Sequence, residues 1–317
     1  MESSASSLDT IAATLGRYGT TSFVATTVTA SPEDTCRSIE EIAKRSEDQF
    51  SAANGAKAEI LGIHFEGPFI SPARRGVHPL EWIATPSKQL LDRFLSCARG
   101  NGRILTLAPE LPGAIELIHA ARRAGLVVSL GHTDASFDDA IAAIHAGARH
   151  SAHVFNAMRP FSHRETGVLG AVLTSREVTA ELIADGVHVD DAAIRLLLAA
   201  KGVDKTVLVS DGTAATGMPD GRYRLGMLEV IVSGGVCRNS EGKLAGSTLT
   251  LDRAVRHMVQ LGVPLADALR MATWNPARVI GIEGRKGTLA AGADADLVLL
   301  DEQLGVARVM ARGSWLF

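Results

Sequence analysis

The chain has 317 residues, 46% of them apolar and 21% charged, and carries a net charge of −3. That balance suits a folded chain with a sizeable core and excludes extended disorder; without a block of like charge it also excludes a basic nucleic-acid surface. No apolar run approaches the ~18 residues of a membrane span, and the opening Met1–Ser7 lacks the apolar core of a signal peptide.

In chain order, a helix-like segment at Leu8–Tyr18 comes first, then a strand-like run at Thr21–Thr29. An amphipathic stretch at Asp34–Ala53 follows, opened by the helix-start signal Ser31-Pro32-Glu33-Asp34. Further strand-like runs fall at Glu59–Phe65, Arg103–Leu107, Val127–Leu130, His150–Val154, Thr179–Ala184 and Thr206–Val209. Between them, Pro86–Ala98, Leu111–Ala124, Phe137–Ala146 and Asp190–Ala200 repeat apolar residues every three or four positions, as helices lying on a sheet do. Strands alternating with such helices predict parallel βαβ units and an α/β fold, either a (β/α)8 TIM-like barrel or an open doubly wound sheet.

After Asp211 the pattern changes. Arg222–Val232 and Val236–Leu244 read as a β-hairpin around Ser233-Gly234-Gly235, followed by helices at Thr248–Leu261 and Pro264–Thr273. Short strands at Asp296–Leu300 and Val306–Met310 close the chain. The expected organisation is a barrel over 1–286, with 222–246 as a hairpin insertion, and part of a small β-sandwich over 287–317. Three scattered cysteines, Cys36, Cys97 and Cys237, lack any Cys-x-x-Cys spacing and fit a reducing, cytoplasmic setting.

The polar residues favour the barrel. His64, Glu66, His132, His153, His188 and Asp211 stand at or just past the ends of five strand-like runs, and in a barrel those ends converge on one mouth. In Gly62-Ile63-His64-Phe65-Glu66-Gly67-Pro68, residues two apart share a strand face, so His64 and Glu66 both point inward; a buried His beside a hydrogen-bonded Glu reads equally well. Gly131-His132-Thr133-Asp134 and His150-Ser151-Ala152-His153 each put a His at a strand end. One Glu and two His on separate strand ends supply three ligands for Zn²⁺ or another divalent metal, leaving an open position for catalysis. Asp211, in Ser210-Asp211-Gly212-Thr213, is either a turn cap or, beside a metal, a proton acceptor and donor. His119, His145 and His257 fall in helical patterns and read as surface or structural.

Together, His-Phe-Glu-Gly-Pro, Gly-His-Thr-Asp-Ala, His-Val-Phe-Asn-Ala-Met, Ala-Asp-Gly-Val-His-Val, Ser-Asp-Gly-Thr-Ala and Leu-Ala-Gly-Ser-Thr-Leu-Thr resemble the N-acetylglucosamine-6-phosphate deacetylase family of the amidohydrolase superfamily. The likeness runs in order from about Thr20 to the C-terminus. It implies a metal-dependent amide hydrolase that converts N-acetyl-D-glucosamine 6-phosphate into D-glucosamine 6-phosphate and acetate. By the same resemblance, Glu66, His132 and His153 are the ligands of one divalent metal per subunit, Zn first, with Fe, Co or Mn as alternatives. Asp211 is the acid/base, and His78, beside Val77, contacts the acetyl carbonyl. Asn156, Ala157 and His188 touch the sugar phosphate, and Leu244-Ala245-Gly246 lines the sugar site. Arg164 is the phosphate-binding Arg, which in this family reaches across a homodimer from the neighbouring subunit.

The family's first barrel strand often carries a His-x-His pair after an N-terminal β segment. Here Leu8–Tyr18 stands where the first barrel helix belongs, so the first barrel strand is expected to be missing, leaving unpaired strand edges. A non-catalytic or impaired form that only binds sugar phosphate is therefore one alternative. Another is an amidohydrolase for cyclic amides or dipeptides, against which the Lys-free run Arg103–Pro109 and the phosphate-suited Arg164 both argue.

Overall fold

The computed structural model describes residues 4–49, 57–226 and 228–317. Seven parallel strands form one sheet in sequence order: β1 (Ser22–Thr27), β2 (Glu59–Glu66), β3 (Gly102–Leu107), β4 (Val127–Leu130), β5 (His150–Ser151), β6 (Thr179–Leu182) and β7 (Thr206–Leu208). Helices α1 (Ala5–Arg17), α2 (Pro32–Asp48), α3 (Lys88–Ala98), α4 (Ala114–Arg123), α5 (Phe137–Ala146), α6 (Gly167–Thr174) and α7 (Asp191–Lys201) alternate with them. The last residues predicted for the second helix, 50–53, lie outside the described residues.

Local chemistry sets the helix starts. Ser31 accepts the Asp34 N–H and Pro32 occupies the first turn of α2, where its missing N–H is not needed. Ser136 and Asp139 form a reciprocal capping box on α5, and Gly147 ends that helix at φ 115°. Inward helix faces such as Ile39, Ile42 and Ala43 on α2 and Leu117, Ile118 and Ala121 on α4 pack on Ile63, Leu105, Val128 and Leu182 of the sheet. That single cluster is the core, and burying it is the main stabilising contribution.

Whether the sheet is flat or curled follows from one distance. Neighbouring strands stand ~4.8 Å apart, so the ends of β2 and β5, with two strands between them, would be about 14 Å apart in a flat sheet. Glu66 and His153, at those ends, are 3.0 Å apart. The sheet is curled into a barrel wall with one mouth, as the sequence predicts. Among the described residues β1 and β7 are its outer strands.

Past β7, the strands β8 (Gly221–Leu225), β9 (Leu228–Ser233) and β10 (Val236–Asn239) make an antiparallel sheet. The run Arg222–Val232, expected as one strand, is two, because the chain reverses after Leu225 with Gly226 at φ 61°. The hairpin at Ser233-Gly234-Gly235 is as predicted. Helices α8 (Leu251–Gln260), α9 (Leu265–Ala272) and α10 (Trp274–Val279) follow, then β11 (Leu297–Leu300), β12 (Val306–Ala311) and β13 (Ser314–Trp315) as a third sheet. Lys286, 4% exposed, joins that sheet to the barrel: its Nζ lies 2.7 Å from Glu59 at the start of β2 and 2.9 and 2.7 Å from Asp294 and Asp296. Among the described residues, no helix is long and apolar enough to cross a membrane.

Candidate metal centre

Each chemically interesting side chain sits where an apolar strand gives way to a loop. Glu66 is the last residue of β2, His132 follows β4 by two residues, His153 follows β5 by two, and Asp211 lies just past β7. Several hold left-handed backbone that non-glycine residues rarely adopt: φ is 47° at His132, 22° at His153, 50° at Ala157 and 47° at Asp211. Such strain persists where surrounding structure over-determines it, and it clusters at functional sites. At His153 one such contact is visible: Glu181 Oε2 accepts its backbone N–H at 3.1 Å, while Glu181 Oε1 is 2.7 Å from His150 Nε2.

Glu66 Oε1, His132 Nε2 and His153 Nε2 form a triangle with sides of 3.0, 3.2 and 3.3 Å. All three residues are buried. Ligands around a tetrahedral Zn²⁺, with bonds of ~2.0–2.1 Å, stand roughly 3.3 Å apart, so the triangle has the size of a ligand set. The chemistry agrees. His132 donates its Nδ1–H to the Arg74 carbonyl at 3.0 Å, which keeps the Nε2 lone pair for a ligand. Burial works against its charge, yet the adjoining His132 and His153 side chains hold Glu66 well below the carboxylate range. Burial likewise opposes a charged His153 ring, but Glu66 overrides it and pushes the ring up to about 9. The cluster attracts positive charge, and a divalent cation meets that demand.

His78 flanks the triangle, its Nε2 3.9 Å from Glu66 Oε2 and its ring edge-on to His132 at 4.6 Å between centroids. Its Nδ1 accepts the Thr29 backbone N–H at 3.3 Å. Burial, together with the neighbouring His132 imidazole, pushes its pKa down to about 3, so the ring is neutral with its proton on Nε2. Asp211 is half-buried, and its charge acts on His153. Burial, then the charge of Glu66, raises its carboxyl above the usual range.

The other expected residues fall around the same mouth or near it. Val77 packs against a small cluster of Ala215, Val230, Val232, Cys237 and Ala245, which places Leu244-Ala245-Gly246 near the loop that carries His78. Gly246 must be glycine: φ is 60°, and a Cβ would stand 2.5 Å from Thr213 Cγ2 and 3.1 Å from the Asp211 carbonyl. Asn156 is tied to the His153 carbonyl at 3.3 Å. His188 pairs through Nδ1 with Asp185 Oδ2 at 2.7 Å. Arg164 is exposed on the loop between β5 and α6 and, among the described residues, lies outside the triangle's contacts. His64, which shares its strand face with Glu66, is bound instead to Thr26 and Thr106 hydroxyls at 3.2 and 2.7 Å. His257 pairs with Asp191 at 3.0 Å, in keeping with a structural role. Sequence reasoning missed Thr29, Glu110, Asp185 and Glu181, whose polar partners are fixed only by the fold.

Comparison with known proteins agrees with this arrangement. The amidohydrolase family profile matches residues 1–316. A Bacillus subtilis N-acetylglucosamine-6-phosphate deacetylase is 39% identical over all of this chain and 80% of its own length. An Escherichia coli O157:H7 N-acetylgalactosamine-6-phosphate deacetylase is also 39% identical, over 96% of this chain and 80% of its own. Among solved structures, a Mycobacterium smegmatis N-acetyl-D-glucosamine-6-phosphate deacetylase variant in complex with N-acetyl-D-glucosamine-6-phosphate superposes with a TM-score of 0.91. It is 41% identical, covering 97% of this chain and 80% of that one. By profile, sequence and fold alike, this chain belongs to the amidohydrolase family.

Proposed function

We propose that the protein is a metal-dependent amide hydrolase that deacetylates N-acetyl-D-glucosamine 6-phosphate to D-glucosamine 6-phosphate and acetate. One observation carries the reading: the Glu66–His132–His153 triangle stands beside a neutral imidazole that can donate, His78, and a carboxyl of raised pKa, Asp211. The relatives' activities agree with it.

Glu66, His132 and His153 would hold one divalent cation per subunit, with Zn²⁺ the first choice for a Glu-His-His set and Fe, Co or Mn as alternatives. Such an ion supplies acidity to a water on its open side and polarises a carbonyl. The residues of the chain do the rest. His78 donates its Nε2–H to the acetyl oxygen as negative charge develops there. Asp211 takes a proton from the attacking water and returns it to the departing nitrogen as the C–N bond breaks and acetate leaves. A carboxyl of raised pKa is a stronger base than an ordinary Asp, which suits a group that must take up a proton before returning it.

Val77, His188, Asn156, Ala157 and the Leu244-Ala245-Gly246 segment would frame the sugar phosphate. Arg164 would bind phosphate across a homodimer, since its planar fork suits phosphate oxygens. In this reading 1–286 is the hydrolase unit, 287–317 is part of a small β domain, and the free cysteines and phosphorylated substrate fit a cytoplasmic enzyme. The galactosamine-directed relative supports a second reading, the C4 epimer as substrate.

The test is acetate release by the zinc-loaded protein from both epimers and from unphosphorylated N-acetylglucosamine. Turnover of N-acetylglucosamine 6-phosphate preferred over both others is expected. Metal-loaded, folded protein that releases no acetate from any of them would overturn the reading.

A further inference from the structure

Two residues past His132, Asp134 grips a pair of arginines from different loops. Its Oδ1 accepts from Arg74 Nε at 2.7 Å and its Oδ2 from Arg159 Nη2 at 3.1 Å. Arg74 comes from the loop between β2 and α3 that also carries His78. Its carbonyl accepts the His132 Nδ1–H. Arg159 comes from the loop between β5 and α6 and pairs with Glu165, next to Arg164. Backbone bonds knit the same region. Thr133 N–H donates to the Ala157 carbonyl at 3.1 Å, and Arg159 N–H to the Thr133 carbonyl at 3.0 Å. Glu110 closes the arrangement from behind, accepting the Thr133 hydroxyl at 2.5 Å and the Asp134 N–H at 2.6 Å.

We propose that Asp134 is a positioning residue with two arms: through Arg74 it aims the metal ligand His132, and through Arg159 it sets the loop that presents Asn156, Ala157 and Arg164 to the substrate's phosphate. The inference rests on the deacetylase reading for the second arm only. Side chains of Arg74, Asp134 and Arg159 are 32%, 31% and 29% exposed. Ion pairs that wet contribute little to overall stability, so the expected consequence of breaking them is a misaimed site in a protein that still melts normally. Partners of metal-ligating histidines commonly matter 10–100-fold for metal affinity.

Three variants of the full chain separate the arms: Asp134→Asn, Arg74→Met and Arg159→Met. Zinc affinity is read by competition with a chelator, KM and kcat at saturating zinc on N-acetylglucosamine 6-phosphate, and Tm by calorimetry. Arg74→Met should weaken zinc by about 10-fold or more with KM unchanged. Arg159→Met should raise KM by a similar factor with zinc affinity and kcat unchanged. Asp134→Asn should do both, with Tm within a few degrees of the parent. Equal losses on both readouts from each arginine variant, or an Asp134→Asn protein within twofold of the parent on both, would overturn the proposal. If the parent turns over no sugar phosphate, the deacetylase reading fails while the chelator competition still decides the Arg74 arm.

Discussion

Thr29, two residues past β1, donates its backbone N–H to His78 Nδ1 at 3.3 Å, and its hydroxyl lies 2.8 Å from the same nitrogen. These contacts fix the His78 tautomer. With Nδ1 occupied as an acceptor, the ring's hydrogen sits on Nε2, on the side of the ring near Glu66. Because burial holds its pKa down to about 3, the imidazole stays neutral throughout the working pH range. Its Nε2–H is therefore available as a hydrogen-bond donor across that range.

Replacing His78 with Asn should therefore lower kcat by roughly 10²–10³, the usual loss for one oxyanion-stabilising donor, while zinc content stays at the parent's level. Gly67→Ala probes the same device from behind. At φ 82°, a Cβ there would stand 2.2 Å from the Thr29 hydroxyl oxygen, so that hydroxyl must move from its place beside His78 Nδ1. Steady-state kinetics on both proteins is the check. A Gly67→Ala enzyme with parental kcat would mean that the Thr29 hydroxyl does not set the ring.

Asp211→Asn keeps the size of the side chain and removes its ability to accept a proton. Since positioned acid–base groups supply roughly 10²–10⁴-fold, turnover should fall by that factor with zinc retained and substrate still bound. In the parent, the raised carboxyl pKa puts the acidic limb of kcat/KM above the ordinary Asp value near 3.9, with activity lost as pH falls through that limb. The pH–rate profile reads this directly, and an acidic limb at or below the ordinary value would count against Asp211 as the base.

How much of this was readable beforehand depends on how local each signal is. Glu66, His132 and His153 could be found because each is a metal-ligating residue type at or just past the end of a strand, and barrel closure then brings such ends together. Helix α6 gave no periodic signal because it is buried on all sides from Gly167 to Leu173, so it has no polar face to mark it. The turn after Leu225 was hidden because apolar residues continue across it in Leu228, Val230 and Val232. Strand β5 is also shorter than the run His150–Val154 suggests: Ala152 and Val154 still donate their N–H groups to the Leu130 and Glu181 carbonyls, but the left-handed backbone of His153, φ 22°, interrupts the regular ladder. Thr29, Glu110 and Glu181 were out of reach for another reason. Thr29 meets His78 across 49 positions and Glu181 meets His153 across 28, and no spacing rule connects them.

Asp185 gives a test by acidity. Burial raises its carboxyl, but the His188 side chain and the backbone N–H groups of Val187 and His188 outweigh burial and lower it. Its folded pKa thus lies below the unfolded value of about 3.9. A depressed carboxylate contributes stability that is complete above the unfolded pKa and lost as pH falls through the folded one. Urea midpoints of the parent and Asp185→Asn should therefore differ most at pH 6, and the gap should shrink as pH drops below about 4. A gap that stays constant down to acid unfolding would show that the charge of Asp185 contributes nothing.

Arg164 offers the sharpest test of assembly, because if it works across a homodimer as proposed it can be separated from the site it serves. Alone, Arg164→Ala should raise KM for the phosphorylated substrate by roughly 10-fold or more, as expected for a lost charge-assisted hydrogen bond, and leave unphosphorylated N-acetylglucosamine unaffected. Mixed with Asp211→Asn under subunit exchange, it should recover activity. One site of the mixed dimer then combines an intact Asp211 from the Arg164→Ala chain with an intact Arg164 from the Asp211→Asn chain. Half the dimers are mixed at equal ratio and one of their two sites is whole, so with substrate well below KM, where Arg164→Ala alone is slowed about 10-fold, the rate should approach roughly a quarter of the parental one, which neither variant alone reaches. No recovery despite proven exchange by mass-tagged chains would place Arg164 in service of its own subunit's site.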